Sequence, residues 1–315
     1  MKRMLLVMLV ACGPKTPADV KLNKPSAGFQ LQVGPFDVPA GSELQDCYYF
    51  RVKEDAWVHS FQIAQNPGTH HMNMFRVASS ASGGGASPFD DGQVQRGCWD
   101  GLPFQDWGLI VNAQLTDGQE QTENGAFVWT LPDGVATHLE AGELIMVQTH
   151  YVNATTQKTN LGRGKVVINF HTIPQSAVQA ELGTMFANNR NIFLRAGEKS
   201  AFSSFCTVPQ QVTIAAVSGH FHSRGKRFTV SLANAAGDVT DPVYDNRDWH
   251  EPLFETFGGN GPTLEPGGGL NYACEFDNPF DFDIVFGPHV EFEEHCNLFA
   301  YYYPRLTELG SLYCF

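Results

Sequence analysis

The chain is punctuated like a β protein along its length. Short runs of β-branched and aromatic residues recur at 143–153 (ELIMVQTHYVN), 165–173 (KVVINFHTI), 210–222 (QQVTIAAVSGHFH), 227–234 (RFTVSLAN) and 298–304 (LFAYYYP), bounded by Gly, Pro, Asn and Asp. No long segment carries a helical hydrophobic period. Many short strands with turn signals between them bury their apolar faces as sandwiches or barrels, so the expected class is all-β. A length of 315 residues, 43% of them hydrophobic, allows about two domains with sizeable cores. The segment around 172–182 reads as the junction between them. The Gly-rich stretches 79–87 and 257–269 read as long mobile loops.

The first residues read as an address. MKRMLLVMLVAC has a basic start (Lys2, Arg3), a short apolar run and small residues before a cysteine. Residues 1–11 are therefore expected to be a lipoprotein signal peptide, with Cys12 lipidated and 12–28 a tether. Gly13 is not the Asp that retains lipoproteins in the inner membrane, so the expected location is the cell envelope, anchored in the outer membrane. No apolar run reaches the roughly 18–20 residues that span a bilayer. The formal charge of -13 argues against nucleic-acid partners.

Setting Cys12 aside leaves Cys47, Cys98, Cys206, Cys274, Cys296 and Cys314. An even number in an exported chain predicts three disulfides, with every pairing open at this stage.

Histidine placement is uneven. GTHHMNMF holds His70 and His71; neighbours on a strand point to opposite faces, so both reach one metal only where the backbone is distorted. Met72 and Met74 beside them read as packing. His150 lies on an alternating strand and shares a face with Met146 and Gln148. His220 and His222, two apart in SGHFHSRGK, share a strand face, which suits clamping one ion. His295 precedes Cys296. Imidazole suits copper, zinc, iron or nickel. His59, His138, His171, His250 and His289 carry no partner pattern and read as structural or surface residues, His289 being the rival to His295.

Taken together, CYYFRV (47–52), THHMNMF (69–75), VQTHY (147–151), GHFHSRGK (219–226), YACEF (272–276) and EEHCNLFAYYYP (293–304) resemble, in order and spacing, the copper type II, ascorbate-dependent monooxygenases, the family of peptidylglycine α-hydroxylating and dopamine β-monooxygenases. The resemblance runs over residues 36–314. It implies two jelly-roll-like antiparallel β-sandwich domains facing each other across a cleft: an N-terminal copper domain (29–174) and a C-terminal one (175–315). It implies two copper ions per chain. The electron-transfer copper is held by His70, His71 and His150, and the oxygen-activating copper by His220, His222 and the residue at 295. It further implies disulfides Cys47–Cys98, Cys206–Cys314 and Cys274–Cys296. The implied reaction is hydroxylation of a C–H bond of a small-molecule substrate by O2, with electrons from a donor such as ascorbate.

Three positions depart from the family. Its third ligand at the oxygen-activating copper is a Met; here it is His295. A thioether favours Cu(I), whereas a third imidazole is harder and also describes a zinc site. Unlike Met it titrates, with an unperturbed pKa near ~6.5, so metal affinity is expected to gain a pH dependence. For substrate, Asn297 matches a family contact, but Ser218 and Phe299 stand where peptidylglycine enzymes have an Arg and a Tyr for the substrate carboxylate. Without the Arg, peptides ending in glycine are expected to be poor substrates. Two other readings compete with the enzyme: a non-catalytic copper-binding or electron-transfer lipoprotein of the cell envelope, and a structural lipoprotein with a degenerate site.

Overall fold

The computed structural model describes residues 18–78, 88–98, 107–114, 122–123, 125–157, 160–308 and 310–314. The signal peptide, the lipidated Cys12 and the 79–87 loop expected from sequence lie outside the described residues. Those described form strands and two short 3-10 turns, Gln175–Ala177 and Gly258–Asn260. None of their helices is long and apolar enough to cross a membrane.

Strand pairing separates the chain at Leu182. Each described pairing joins two strands on the same side of that residue. Before it lie a seven-stranded and a five-stranded sheet; after it lie sheets of six, three and four strands. The expected pair of two-sheet sandwiches therefore becomes two sheets in the first half and three in the second. One core cluster is built mainly from the first half, around Phe61, Tyr151 and Phe170; a second, around Phe221, Phe228 and Tyr272, belongs to the second half.

In the first half the strand Leu144–Asn153 lies between Ser42–Arg51 and Thr69–Arg76, with Gly108–Ala113 at the sheet edge. Alternation decides what each face carries. Tyr151 points inward, edge-on to Phe36 at 5.3 Å, and its hydroxyl donates to the Lys165 carbonyl at 2.8 Å. Gln148 and His150 take the opposite face, in register with Asn73 and His71.

The edge strand Gly108–Ala113 is where the second half docks. Leu109 N–H donates to Ser311 Oγ at 2.7 Å, and Thr184 Oγ1 donates to the Leu109 carbonyl at 3.0 Å. Tyr301, fully buried in the strand Asn297–Tyr303, donates its hydroxyl to Asn112 Oδ1 at 2.5 Å and accepts the Asn112 N–H at 2.9 Å. Around these bonds Trp129 meets Tyr301 at 4.6 Å and Phe254 at 5.1 Å, and Phe127 meets Phe254 at 5.0 Å. Aromatic burial supplies the attraction and the paired hydrogen bonds supply the register.

Two sequence expectations change here. Residues 19–23, expected within the tether, lie against the first half: Arg163 binds Asp19, Val20 N–H donates to Asn66 Oδ1 at 2.8 Å, and Asn169 donates to the Asn23 carbonyl at 2.8 Å. Backbone donors and acceptors that find partners on the folded half do not stay free. The second Gly-rich stretch is no long loop. It contains the strand Thr263–Leu264, paired with Val212–His220, and Gly261 lies so close to the Ile214 carbonyl that a Cβ would fall 1.8 Å from its oxygen.

The docking bonds give a direct expectation. Tyr301→Phe leaves a buried donor and a buried acceptor of Asn112 without a partner, which costs about 1–3 kcal/mol. A urea titration of the variant should show a loss of that size, and an unchanged midpoint would mean that this pair does not hold the halves together.

Candidate metal centre

The His70–His71 pair solves its geometric problem with a bulge. Along the pairing of Leu144–Asn153 with Thr69–Arg76, His150 faces His71 and Tyr151 faces Thr69, so His70 is the extra residue. A bulge breaks strict alternation and re-aims its side chain. The result is three rings together: His70–His71 centroids lie 5.2 Å apart, His70–His150 5.0 Å and His71–His150 4.8 Å. Met72 and Met74 stay in the core cluster.

From the second half, His220 ends the strand Val212–His220 and His222 follows in the loop, with ring centroids 5.2 Å apart. Phe221 between them turns inward and stacks parallel to Phe228 at 6.1 Å. Its ring lies over Gly225, where a Cβ would come within 1.7 Å, so the HFHSRG turn requires glycine there. His295 sits between Glu293–Glu294 and Asn297–Tyr303, beside the Cys274–Cys296 disulfide. The other two disulfides are Cys47–Cys98 and Cys206–Cys314, the same three pairs that the family resemblance implies.

The two histidine sets are not separated by a cleft. His70 lies 5.0 Å from His220 and 5.5 Å from His222, and His71 lies 5.2 Å from His220. Ring nitrogens converge within 4.8 Å in two groups, His70–His71–His150 and His70–His220–His222. His295 joins through His222: its Nδ1 is 3.3 Å from His222 Nε2, while its ring is 5.4 Å from that of His220. His289 stands apart, half-exposed, with Nδ1 3.7 Å from Glu43. His59 binds the Val135 carbonyl at 2.8 Å, and His138 stacks on Trp57 at 4.2 Å.

Supporting groups decide which nitrogen of each ring faces the cluster. Glu43 takes the Nε2–H of His150 at 2.6 Å, leaving Nδ1 as a lone pair 3.1 Å from His71 Nε2. Asn73, itself donating to Gln148 at 3.1 Å, sits 3.4 Å from His71 Nδ1. The His222 Nδ1–H donates to the Glu293 carbonyl at 2.9 Å, which frees Nε2. Gln114, whose amide is oriented by donating to the Trp249 carbonyl at 3.2 Å, accepts from His220 Nδ1 at 2.9 Å. Glu294, fully buried, accepts the backbone N–H groups of His222, Arg224 and His295 at 2.8, 2.7 and 3.3 Å, so one carboxylate sets two ligand-bearing segments.

The electrostatics favour a cation. Burial, reinforced by neighbouring histidines, holds His70, His71, His220 and His295 well below the usual imidazole pKa; burial brings His150 and His222 to about 3. All six are therefore neutral at pH 7, which is the form that binds metal. Nε2 of His70 is buried without a hydrogen-bond partner. An orphaned nitrogen among converging ring nitrogens is what a metal would satisfy, so the residues fit an imidazole-bound transition metal.

Asn297, the expected substrate contact, is buried beside the site, opposite His220 in the strand pairing, and its Oδ1 lacks a partner. Glu43, Gln114 and Glu294 were not expected from sequence. Gln148 was visible through its shared face with His150.

No protein-family model matches the chain, and no curated protein matches it. Among solved structures it is similar to that of the STIV MCP, at 6% identity and a TM-score of 0.34, over 87% of this chain and 94% of that one. It is similar to the infectious bursal disease virus VP2 subviral particle at 8% identity and a TM-score of 0.21, over 91% and 74%. A tandem CBM22 domain from Paenibacillus barcinonensis Xyn10C gives 11% identity and a TM-score of 0.11, over 91% and 80%. Scores this low carry no argument about function.

Burial of neutral rings sets a pH dependence. A histidine whose pKa is lowered in the fold contributes stability that is complete above about pH 6.5 and lost as pH falls towards its folded value, on the order of 1 kcal/mol per ring per pH unit. Glu294 acts oppositely: burial raises it to about 7, so its contribution is fullest below about pH 4.5 and declines as pH rises through 7. Six rings outweigh one carboxylate. The urea midpoint of chelator-stripped protein should fall steeply from pH 7 to pH 5, with net proton uptake on unfolding. A flat profile would contradict neutral burial.

Proposed function

We propose that the chain is a copper-dependent monooxygenase that hydroxylates a C–H bond of a small organic substrate, a member of the copper type II, ascorbate-dependent group. The observation that carries this reading is the convergence of five buried, neutral histidines from both halves of an all-β chain, with the half-buried His295 beside them. In this reading the halves correspond to the two jelly-roll-like copper domains of that group. His70, His71 and His150 hold the electron-transfer copper; His220, His222 and His295 surround the oxygen-activating one. The protein is an exported lipoprotein of the outer membrane, supplied with electrons by an external donor such as ascorbate.

Copper supplies the one-electron and O2 chemistry. The chain's own residues supply orientation and dryness. Glu43, Gln114 and the Glu293 carbonyl fix the tautomers of His150, His220 and His222. Trp249, with its ring 6.2 Å from that of His70, adds an apolar wall. Five rings of the cluster are buried and His295 is half-buried.

The substrate side has no carboxylate clamp at the two positions that differ from the peptidylglycine enzymes. Ser218 is buried and donates to the Leu253 carbonyl at 3.2 Å; Phe299 is buried and stacks on Phe186 at 5.1 Å. Asn297 remains as a neutral amide contact. These features support a substrate without a terminal carboxylate at that place.

Copper-loaded, reduced protein should consume O2 in step with formation of a hydroxylated product when offered neutral or amine substrates. O2 uptake that never couples to product would instead leave a copper-holding or electron-transfer protein. Glycine-extended peptides should turn over at least tenfold more slowly than the best such substrate. Strong turnover of those peptides would refute the carboxylate argument.

A further inference from the structure

The strands Gly183–Asn188, Asn297–Tyr303 and Val212–His220 pair side by side, so residues directly opposite one another project from the same face. Register sorts that face into rows. Thr184, Tyr301 and Ala216 form one row, and from it Thr184 and Tyr301 bond to the first half. Phe186, Phe299 and Ser218 form the next, with the two phenylalanine rings stacked at 5.1 Å. Asn188, Asn297 and His220 form the third. The face is thus turned towards the first half and ends in two side-chain amides beside a histidine of the candidate metal centre. Both amides are 6% exposed, and Oδ1 of each is buried without a hydrogen-bond partner. Adjacent asparagines can satisfy each other, one amide donating to the next. These two do not, so both carbonyl oxygens are left for a third group.

We propose that Asn188 joins Asn297 in accepting an N–H or O–H group of the substrate, whose apolar body lies along Phe186 and Phe299. This rests on the monooxygenase reading and deepens it in the substrate class: an alcohol or an amine with an apolar body, and not an anion. Asn188 supplies the second acceptor, one strand beyond Asn297. Two carbonyl dipoles aimed at one place attract a donor hydrogen and repel a carboxylate. The stacked phenylalanines on the same face supply the apolar surface that such a body needs. His220 is one strand from Asn297 on the other side, so the C–H bonds close to the donor group lie nearest that histidine.

The test measures binding by calorimetry to the copper-loaded full chain without reductant. The probes are benzyl alcohol, benzylamine and benzyl methyl ether, which share one body; the ether lacks the donor. Wild type should bind the alcohol and the amine about tenfold more tightly than the ether. Asn188→Leu should remove that discrimination and leave the melting temperature of the probe-free protein unchanged or raised, because an apolar side chain of similar size replaces an unpaired amide. Asn188→Ala repeats the comparison with a smaller side chain. Asn188→Asp should favour the amine over the alcohol, since a carboxylate prefers a cation. An ether that binds wild type as well as the alcohol does overturns the proposal. So does discrimination that survives Asn188→Leu, which places the probes elsewhere, the metal included. A lowered melting temperature with unchanged binding gives Asn188 a structural role and overturns it as well. Failure of the monooxygenase reading looks different: discrimination depends on Asn188, yet O2 uptake never couples to product.

Discussion

Six imidazole rings gathered in one place, five of them buried and His295 half-buried, are the demand that the rest of this structure meets. Each must be neutral, because an unpaired charge there has no solvent to stabilise it. The rings also bring their nitrogens together, as His71 Nε2 and His150 Nδ1 are at 3.1 Å. Such an arrangement persists only if other contacts hold it. Glu43, Gln114, Glu294 and the Glu293 carbonyl do this locally, by fixing ring tautomers or the backbone that carries the rings.

At longer range the holding is done by the docking of the two halves. The Tyr301–Asn112 pair and the Phe254–Tyr301 aromatic contact lie on the same sheets as the histidines. Asn112 is in the strand next to the one carrying His70 and His71, and Tyr301 is in the strand that begins just after His295. Rigid strands carry that register to the rings. Glu43 adds a second tie, since the carboxylate that orients His150 also accepts the Val290 N–H from the second half at 3.2 Å. Packing, hydrogen bonding and the electrostatics of the candidate centre are thus one problem.

Much of this was legible from residue order. The runs at 143–153, 165–173 and 227–234 form strands close to where their β-branched and aromatic residues place them, because period-2 patterning and turn residues agree there. The face shared by Gln148 and His150 follows from alternation; His220 and His222 come together although His222 lies past the end of the strand, where alternation no longer applies. The need for a distorted backbone at His70–His71 was also legible, but not its form, since a bulge is set by how two strands pair and neither strand encodes it alone. The contacts of Glu43 and Gln114 with rings over a hundred residues away arise from tertiary placement and leave no local pattern. The same holds for the approach of His70 to His220. The residue pattern and the family resemblance each pointed to two histidine sets, and only the docking of the halves brings them into one cluster. The Gly-rich 257–269 stretch misled for the opposite reason: its glycines serve close backbone approach rather than mobility.

The central claim is that these histidines, and not the neighbouring methionines, hold copper. X-ray absorption on the Cu(I)-loaded chain tests it most directly. The account predicts binding with a nitrogen-only coordination shell, unchanged when Met72 or Met74 is replaced by Leu. A chain that takes up no copper, or a sulfur shell that disappears with one of those replacements, would contradict it.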